Sequence, residues 1–298
     1  LRGRHAGREL ALQRGQGGAA AEVKDKRFSA PEWSESPYFD YLRQAYLVNA
    51  DFLDKLIEAV PVDDAAARDR LKFFTRQFID AMAPSNFVAT NPEFISTALQ
   101  TQGASITAGI RNLVADLGKG RISMTDDDAF EVGRNLAVTP GQVIFENELI
   151  QLIQYAPATP QVHARPLLIV PPCINKFYIL DLQPENSFVR HAVAQGMTVF
   201  LVSWRNPQAD LGHLGWDDYL EMGALKALEV AQEVSGADKV NALGFCVGGT
   251  ILSAALSVAK ARGEERVASL TLLTALLDFS DGGEVTHYVD AASVAARE

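Results

Sequence analysis

Apolar side chains early in the chain recur every three to four positions, the spacing of an amphipathic helix. A first helix is expected from Pro37 and ends at Pro61, because proline cannot continue a helix. Asp63 or Asp64 then caps a second helix, since a short acidic side chain accepts hydrogen bonds from free N–H groups at a helix start. The positions that set the first period are Tyr41, Leu42, Ala45, Tyr46, Phe52, Leu53, Leu56 and Ile57.

A third helix is predicted where asparagine precedes proline. Asn91 is expected as its cap and Pro92 as its first helical residue. This helix should reach Gly118, with an interruption at Gly103. Residues 28–124 are therefore expected to form an α-helical N-terminal region.

From residue 125 onward, short apolar runs alternate with helical stretches. The first two runs flank a polar turn and predict a β-hairpin. The later runs alternate with helical stretches, which predicts parallel strands covered by helices on both faces. The fold class is thus α/β, a mostly parallel sheet preceded by helices. The expected strands are 142–145, 149–155, 167–170, 198–202, 240–243 and 269–275, and the expected helices are 187–195, 216–234 and one that begins at Thr250.

Composition narrows the class of protein. The 298 residues are 48% hydrophobic and 21% charged, an ordinary globular balance. The net charge of −10 argues against a nucleic-acid partner. No apolar run is long enough to span a bilayer, and no secretory pattern opens the chain. Two cysteines make no disulfide framework, which favours a reducing cytoplasm, and residues 1–27 have the composition of a disordered arm.

The fifth predicted strand runs directly into a glycine-bracketed cysteine. Cys246 lies between Gly244 and Gly248, and Gly249 follows. Strand, sharp turn and helix around G-x-nucleophile-x-G are typical of the nucleophile elbow of α/β hydrolases. The nucleophile there has a strained backbone, so residues two positions away must lack bulk. The helix N-terminus stabilises a thiolate, and the N–H of Val247 is placed to donate to an oxyanion.

Cysteine also has a structural interpretation, because it often packs as a small buried hydrophobe. At Cys246, the preceding strand, the following helix and Gly249 together favour catalysis over packing. Cys173 has no elbow around it, and we interpret it as structural.

Several longer motifs occur in a fixed order along the chain. They are residues 84–87, 90–93, 132–138, 145–149, 166–185, 203–207, 216–219 and 244–250. Together, from about Trp33 to about Asp281, they resemble the polyhydroxyalkanoate synthases, most closely the class I type.

The resemblance implies an acyltransferase that polymerises (R)-3-hydroxyacyl-CoA, such as 3-hydroxybutyryl-CoA, into a polyester and releases CoA. It implies Cys246 as the nucleophile, which holds the acyl group as a thioester, and no cofactor or metal. It also implies that the helical region makes homodimer and granule contacts, that residues 125–298 belong to the catalytic domain, and that the protein lies on granules in the cytoplasm. In hydrolase architecture a second oxyanion donor follows the third strand, here in residues 171–175, and we expect the N–H of Ile174.

The activating residues are expected in the order nucleophile, acid, histidine. In the resembled family the acid and the histidine come well after the cysteine, so we expect this chain to lack both, with a sheet incomplete after about its sixth strand and little or no turnover. Asp278 ends the sixth predicted strand, and His287 is interpreted as a surface histidine. Asp217 and Asp218 are expected to cap the helix that follows them.

Two other functions stay open at this point. One is a thioesterase or other hydrolase on the same scaffold, which would release a free hydroxy acid instead of a polymer. The other is a catalytically incomplete fragment that only dimerises or binds granules, in which replacing Cys246 would change nothing.

Overall fold

A computed structural model describes residues 25–126 and 128–296. The chain divides into two compact units: the first holds residues up to Ser123 together with those from Gly283, and the second is Met124–Gly282. The sequence placed everything after 124 in one domain, whereas the structure groups the residues from Gly283 with the helices. Most of the expected arm lies outside the described residues, but Lys26–Phe28 form a short 3₁₀ helix with Phe28 buried.

Five α-helices precede the sheet within the described part of the first unit. They are α1 (Glu32–Glu35), α2 (Pro37–Ala59), α3 (Ala65–Ala81), α4 (Pro92–Gln100) and α5 (Ala104–Lys119). Asp64 caps α3 by accepting a hydrogen bond from the Ala66 N–H at 3.0 Å. Gly103, at φ +83°, separates α4 from α5 as expected. α5 ends at Lys119, one residue beyond the expected end at Gly118, and Gly120 caps it.

The core of this unit is small, and its buried apolar residues include Phe28, Trp33, Ile79 and Ala83. Trp33 is fully buried, and its ring meets Phe28 edge-on at 4.9 Å between centroids. Arg43 and Asp40 form a buried ion pair at 2.7 Å. In contrast, α5 contains no buried residue although it is amphipathic. Its large exposed apolar side chains are Ile106, Ile110, Leu113, Val114 and Leu117.

The second unit is built on one six-stranded sheet. Its strands are β1 (Gly141–Glu146), β2 (Ile150–Tyr155), β3 (Leu167–Val170), β4 (Val199–Trp204), β5 (Val240–Phe245) and β6 (Val267–Leu273). The spatial order is β1-β2-β4-β3-β5-β6. The pairs β1/β2 and β2/β4 are antiparallel, and the remaining pairs are parallel. The expected hairpin, mostly parallel sheet and fifth-strand position of the elbow are therefore confirmed.

Helices cover both faces of this sheet. One face packs on α6 (Phe188–Ala194), and the other packs on a long helical stretch and on α9 (Val247–Ala261). The long stretch was expected as one regular helix, but it consists of α7 (Trp216–Asp218), a π-helical segment (Tyr219–Leu225) and α8 (Lys226–Ser235). Side chains of β3 and β4 alternate between the two faces, so successive residues enter different cores.

The segment after β6 begins with residues of the second unit and ends in the first. A 3₁₀ helix, Gly283–Tyr288, and α10 (Ala291–Ala295) belong to the first unit. Across residues 25–126 and 128–296, no helix combines the length and the apolar character needed to cross a bilayer.

Candidate active site

Cys246 occupies the sharp turn between β5 and α9. Its backbone has φ +53° and ψ −126°, a combination that a residue with a side chain rarely adopts. The Cys246 N–H donates to the Leu273 carbonyl of β6 at 2.9 Å, which ties the turn to the neighbouring strand. α9 begins at Val247, the residue after the cysteine, and the expected start at Thr250 is wrong. The helix therefore begins directly behind the sulfur-bearing residue.

The three glycines of the turn have no room for a side chain. A Cβ on Gly244 would lie 2.4 Å from the Gly249 Cα, and a Cβ on Gly248 would lie 2.2 Å from the Val170 carbonyl oxygen. A Cβ on Gly249 would lie 2.5 Å from that of Ala275. None of these distances is possible without moving the main chain. The close approach of α9 to β5, to the end of β3 and to Ala275 after β6 therefore requires glycine at all three positions.

Two backbone amides, one in the elbow and one in the turn after β3, have no acceptor within the described residues. One is the N–H of Val247, at the first position of α9, and the other is the N–H of Ile174. Ile174 lies in a tight turn after β3, closed by a hydrogen bond from the Asn175 N–H to the Pro172 carbonyl at 3.2 Å. Its side chain is 79% exposed, so the residue contributes no packing that would account for its position. Both amides remain free to donate to a bound group.

The end of β3 is held against the elbow from the other side by a tryptophan. The Trp204 Nε1–H donates to the Pro171 carbonyl at 2.8 Å in a buried hydrogen bond. That same carbonyl oxygen lies 2.5 Å from the position a Cβ would take on Gly248. The turn that contains Ile174 therefore starts from a residue fixed between β4 and α9.

Cys173 shares the turn with Ile174 but has different surroundings. It is partly buried, forms no disulfide and packs against the core on the α9 side of the sheet. Burial raises the pKa of its thiol, which lowers the thiolate fraction at neutral pH. Burial and the neighbouring Cys173 also raise the pKa of Tyr219. These surroundings favour the structural interpretation of Cys173.

Two of the acidic residues considered from the sequence accept nearby backbone N–H groups. The Asp218 carboxylate accepts the Gly215 N–H at 2.7 Å, which confirms its expected capping role. Asp278 is an exposed carboxylate whose pKa is lowered by hydrogen bonds from Ser280. His287 belongs to the first unit and is partly buried, with its ring 5.0 Å from that of Phe73. His287 was expected to be a surface histidine, whereas the structure shows it partly buried.

Neither a metal cluster nor a hydrogen-bonded base accompanies the cysteine in the part of the chain that the structure describes. No group of three His, Cys, Asp or Glu side chains there has the arrangement of a metal site. No side chain in the same residues donates to or accepts from the Cys246 sulfur. The described site thus consists of the sulfur, the strained turn and two free amides.

Sequence reasoning missed Trp204, and also Gly223, where a Cβ would lie 2.6 Å from the Trp204 ring, and Asn147, whose side chain donates to the Met222 carbonyl at 2.9 Å. Each lies in or beside a motif that was used only to establish the resemblance. Their contacts join residues far apart in the chain, and no local periodicity encodes such contacts. A tryptophan at the last position of a buried strand, where its N–H needs an acceptor, was the available signal.

Two known family profiles match the chain. The profile described as the N-terminus of poly-beta-hydroxybutyrate polymerase matches residues 24–192. The profile described as the alpha/beta hydrolase fold matches residues 166–293. The second match agrees with the observed sheet and confirms the fold class expected from the sequence.

Similar proteins carry the same family name. The chain is 54% identical to the poly(3-hydroxyalkanoate) polymerase subunit of Cupriavidus necator, over 97% of this chain and 49% of the relative. It is 40% identical to the corresponding subunit of Rhizobium meliloti, over 91% of this chain and 45% of the relative. Among solved structures, brefeldin A esterase matches 59% of this chain and 47% of its own at 22% identity, with a TM-score of 0.34. The chain spans about half the length of the curated relatives it matches. By these matches, the chain belongs to the poly(3-hydroxyalkanoate) polymerase family.

Proposed function

We propose that Cys246 is the acylation site of an acyltransferase that builds polyester from (R)-3-hydroxyacyl-CoA, such as 3-hydroxybutyryl-CoA. The observation that carries the proposal is the elbow: a cysteine at φ +53° and ψ −126° between a parallel strand and a helix N-terminus. Family membership supplies the substrate class, because the named relatives are poly(3-hydroxyalkanoate) polymerases.

The first chemical step is thioester exchange. The Cys246 thiolate attacks the thioester carbonyl of the acyl-CoA, a carbon–sulfur bond to Cys246 forms, and the bond to CoA breaks. CoA leaves as a thiolate and takes up a proton. Since one thioester replaces another, the step is close to isoenergetic and keeps the acyl group activated. It requires neither a metal nor a redox cofactor.

The tetrahedral intermediate of this step carries a negative oxygen that needs donors. The N–H groups of Val247 and Ile174 are the proposed donors, because both are free and because Pro171, which leads into the Ile174 turn, touches Gly248 of the elbow helix. In general, loss of one such donor costs about 10²–10³ in rate.

The second step transfers the acyl group to a hydroxyl. The hydroxyl of the next monomer or of the growing chain attacks the acyl-enzyme, an ester bond forms, and the Cys246 thioester breaks. A general base must accept the hydroxyl proton. No described residue is assigned that role.

We further propose that the helical unit mediates homodimerisation and contact with polyester granules in the cytoplasm. The support is the apolar face of α5, which leaves Ile110, Leu113 and Leu117 each more than half exposed. An exposed apolar surface of this kind is typical of a contact site.

Acylation of Cys246 tests the proposed chemistry without requiring turnover. The chain would be mixed with 3-hydroxybutyryl-CoA at mildly alkaline pH, where thiolates form, and analysed by mass spectrometry of its peptides. We expect one hydroxybutyryl group on the peptide that contains Cys246, with release of CoA. The matched control is Cys173→Ser, which should acylate like the parent.

The replacement Cys246→Ala must abolish this adduct. An adduct that persists in Cys246→Ala, or that forms on Cys173 instead, would refute the proposal. Release of free 3-hydroxybutyrate with no polymer in a turnover assay of the chain would instead indicate a hydrolase.

A further inference from the structure

Trp204 ends β4 and is almost completely buried, with 7% of its surface exposed. A buried indole N–H needs an acceptor, and it uses the Pro171 carbonyl at 2.8 Å. Pro171 is the first residue after β3, so this bond fixes the point where the chain leaves the sheet and enters the turn that contains Ile174.

The Pro171 carbonyl is held from a second side by the elbow. Its oxygen and that of Val170 lie 2.5 Å and 2.2 Å from the position of a Cβ on Gly248. The end of β3 is thus confined between the indole of Trp204 and the first turn of α9. Any displacement of Pro171 changes the position of the Ile174 N–H relative to Cys246.

Trp204 is itself held in one orientation. Its ring stacks on Tyr219, with centroids 5.5 Å apart and an interplanar angle of 27°. On the neighbouring turn of the π-helical segment, a Cβ on Gly223 would lie 2.6 Å from two carbons of the indole. Glycine at this position therefore leaves the space that the ring occupies.

The π-helical segment is anchored in turn to the hairpin. The Asn147 side chain donates to the Met222 carbonyl at 2.9 Å, and its oxygen accepts the N–H groups of Leu149 and Ile150 at 2.9 Å and 2.8 Å. π-helical segments are rare and occur frequently at functional sites. One asparagine thus connects the β1/β2 turn to the segment that supports Trp204.

We propose that Trp204 is a positioning residue for acyl transfer. Through the Pro171 carbonyl it sets the place of the turn whose Ile174 N–H stabilises the oxyanion, while Gly223 and Asn147 keep Trp204 in place. This role rests on the proposed function, since it concerns the same oxyanion. This role would explain why the following segments contact one another: residues 145–149, 166–185, 203–207, 219–225 and 244–250.

The test compares two reactions of Cys246. Acylation by 3-hydroxybutyryl-CoA passes through an oxyanion, whereas alkylation by iodoacetamide is a direct displacement at carbon and needs no oxyanion donor. Trp204→Phe removes the indole N–H and keeps an aromatic ring. In this variant we expect the ratio of the acylation rate to the alkylation rate to fall about tenfold or more. The reason is that a displaced oxyanion donor slows acylation nearly as much as a missing donor does.

Leu228→Ala is the matched control, because Leu228 is fully buried in the same core as Trp204 but has no side-chain group that could donate a hydrogen bond to the Pro171 carbonyl. It should leave the ratio unchanged although it lowers stability. An unchanged ratio in Trp204→Phe, or an equal fall in Leu228→Ala, would overturn the proposal. If the parent chain alkylates but does not acylate, the proposed function fails and the role in acyl transfer fails with it. Faster alkylation of Cys173 in Trp204→Phe would still show that the tryptophan holds the turn.

Discussion

At the scale of single residues, the elbow glycines differ from the two glycines of α5 in what surrounds them. Gly244 and Gly248 adopt ordinary negative φ values, so conformational freedom is not why glycine is needed there. The reason is space, because main-chain atoms occupy the place of the missing side chain. By contrast, a Cβ on Gly118 in α5 would meet nothing within 4 Å. Substitution should therefore have opposite effects at these positions.

Gly248→Ala should destabilise the protein by about 3 kcal/mol, since its Cβ would overlap the carbonyls of Val170 and Pro171 and the main chain would have to move. Urea denaturation followed by circular dichroism measures the effect. The control Gly118→Ala should stabilise by about 0.5–1 kcal/mol, because alanine is the better helix former. Equal midpoints for the two variants would show that the elbow is looser than the structure indicates.

At the scale of elements, side-chain caps determine where the helices of the first unit begin. The Asn91 side-chain Oδ1 accepts the N–H groups of Glu93 and Phe94 at 2.9 Å and 3.2 Å, and its side-chain Nδ2 donates to the Ser85 carbonyl at 2.8 Å. Asn91 thus begins α4 and also fixes the loop before it.

Asn91→Ala should lower the free energy of unfolding by about 1–2 kcal/mol, because it removes both the cap and the bond to Ser85. Asn91→Asp keeps the acceptor and loses only the donor, so it should retain most of the stability. Thermal denaturation at 222 nm measures both variants. A neutral Asn91→Ala would mean that the loop and α4 do not depend on this side chain.

The starts of α3 and α4 could be predicted because a cap is encoded by one or two adjacent residues. The strands β3, β4 and β5 could be predicted because they are short apolar runs between helical stretches. The π-helical segment could not, since its apolar period is nearly that of an α-helix and its distinguishing partner, Asn147, lies far away in sequence. The start of α9 was placed too late because Gly248 and Gly249 are poor helix formers, and close packing overrides that preference here.

At the scale of the whole molecule, buried apolar residues are distributed unequally between the two units. Nearly all of the fully buried large side chains belong to the sheet unit, whereas α5 has none. Sequence reasoning could locate the elbow, which is a local feature, but could not assign residues from Gly283 onward to the helical unit. That assignment depends on contacts with α3, such as those of Phe73 with His287 and Tyr288, and no short pattern predicts them.

Hydrogen exchange should reveal this inequality and test the proposed contacts of the helical unit. In dilute protein, amides of α5 should exchange much faster than those of β4, because few buried contacts oppose their opening. Raising the protein concentration should slow exchange in α5 if a second copy covers it, and adding polyester particles should slow it if granules do. Exchange in α5 that responds to neither would refute both contacts. Exchange of β4, a buried central strand, is the internal control.

At Cys246, the residue type that would make the fold most stable differs from the residue type that the proposed chemistry needs. Glycine would adopt φ +53° and ψ −126° more easily than cysteine, whereas the strained form costs a side-chain-bearing residue on the order of 1–3 kcal/mol. Random substitution screened for thermal tolerance alone should therefore tend to discard the sulfur. Engineering of this chain for robustness must hold position 246 constant and seek its gains elsewhere, for example at the open glycines of α5.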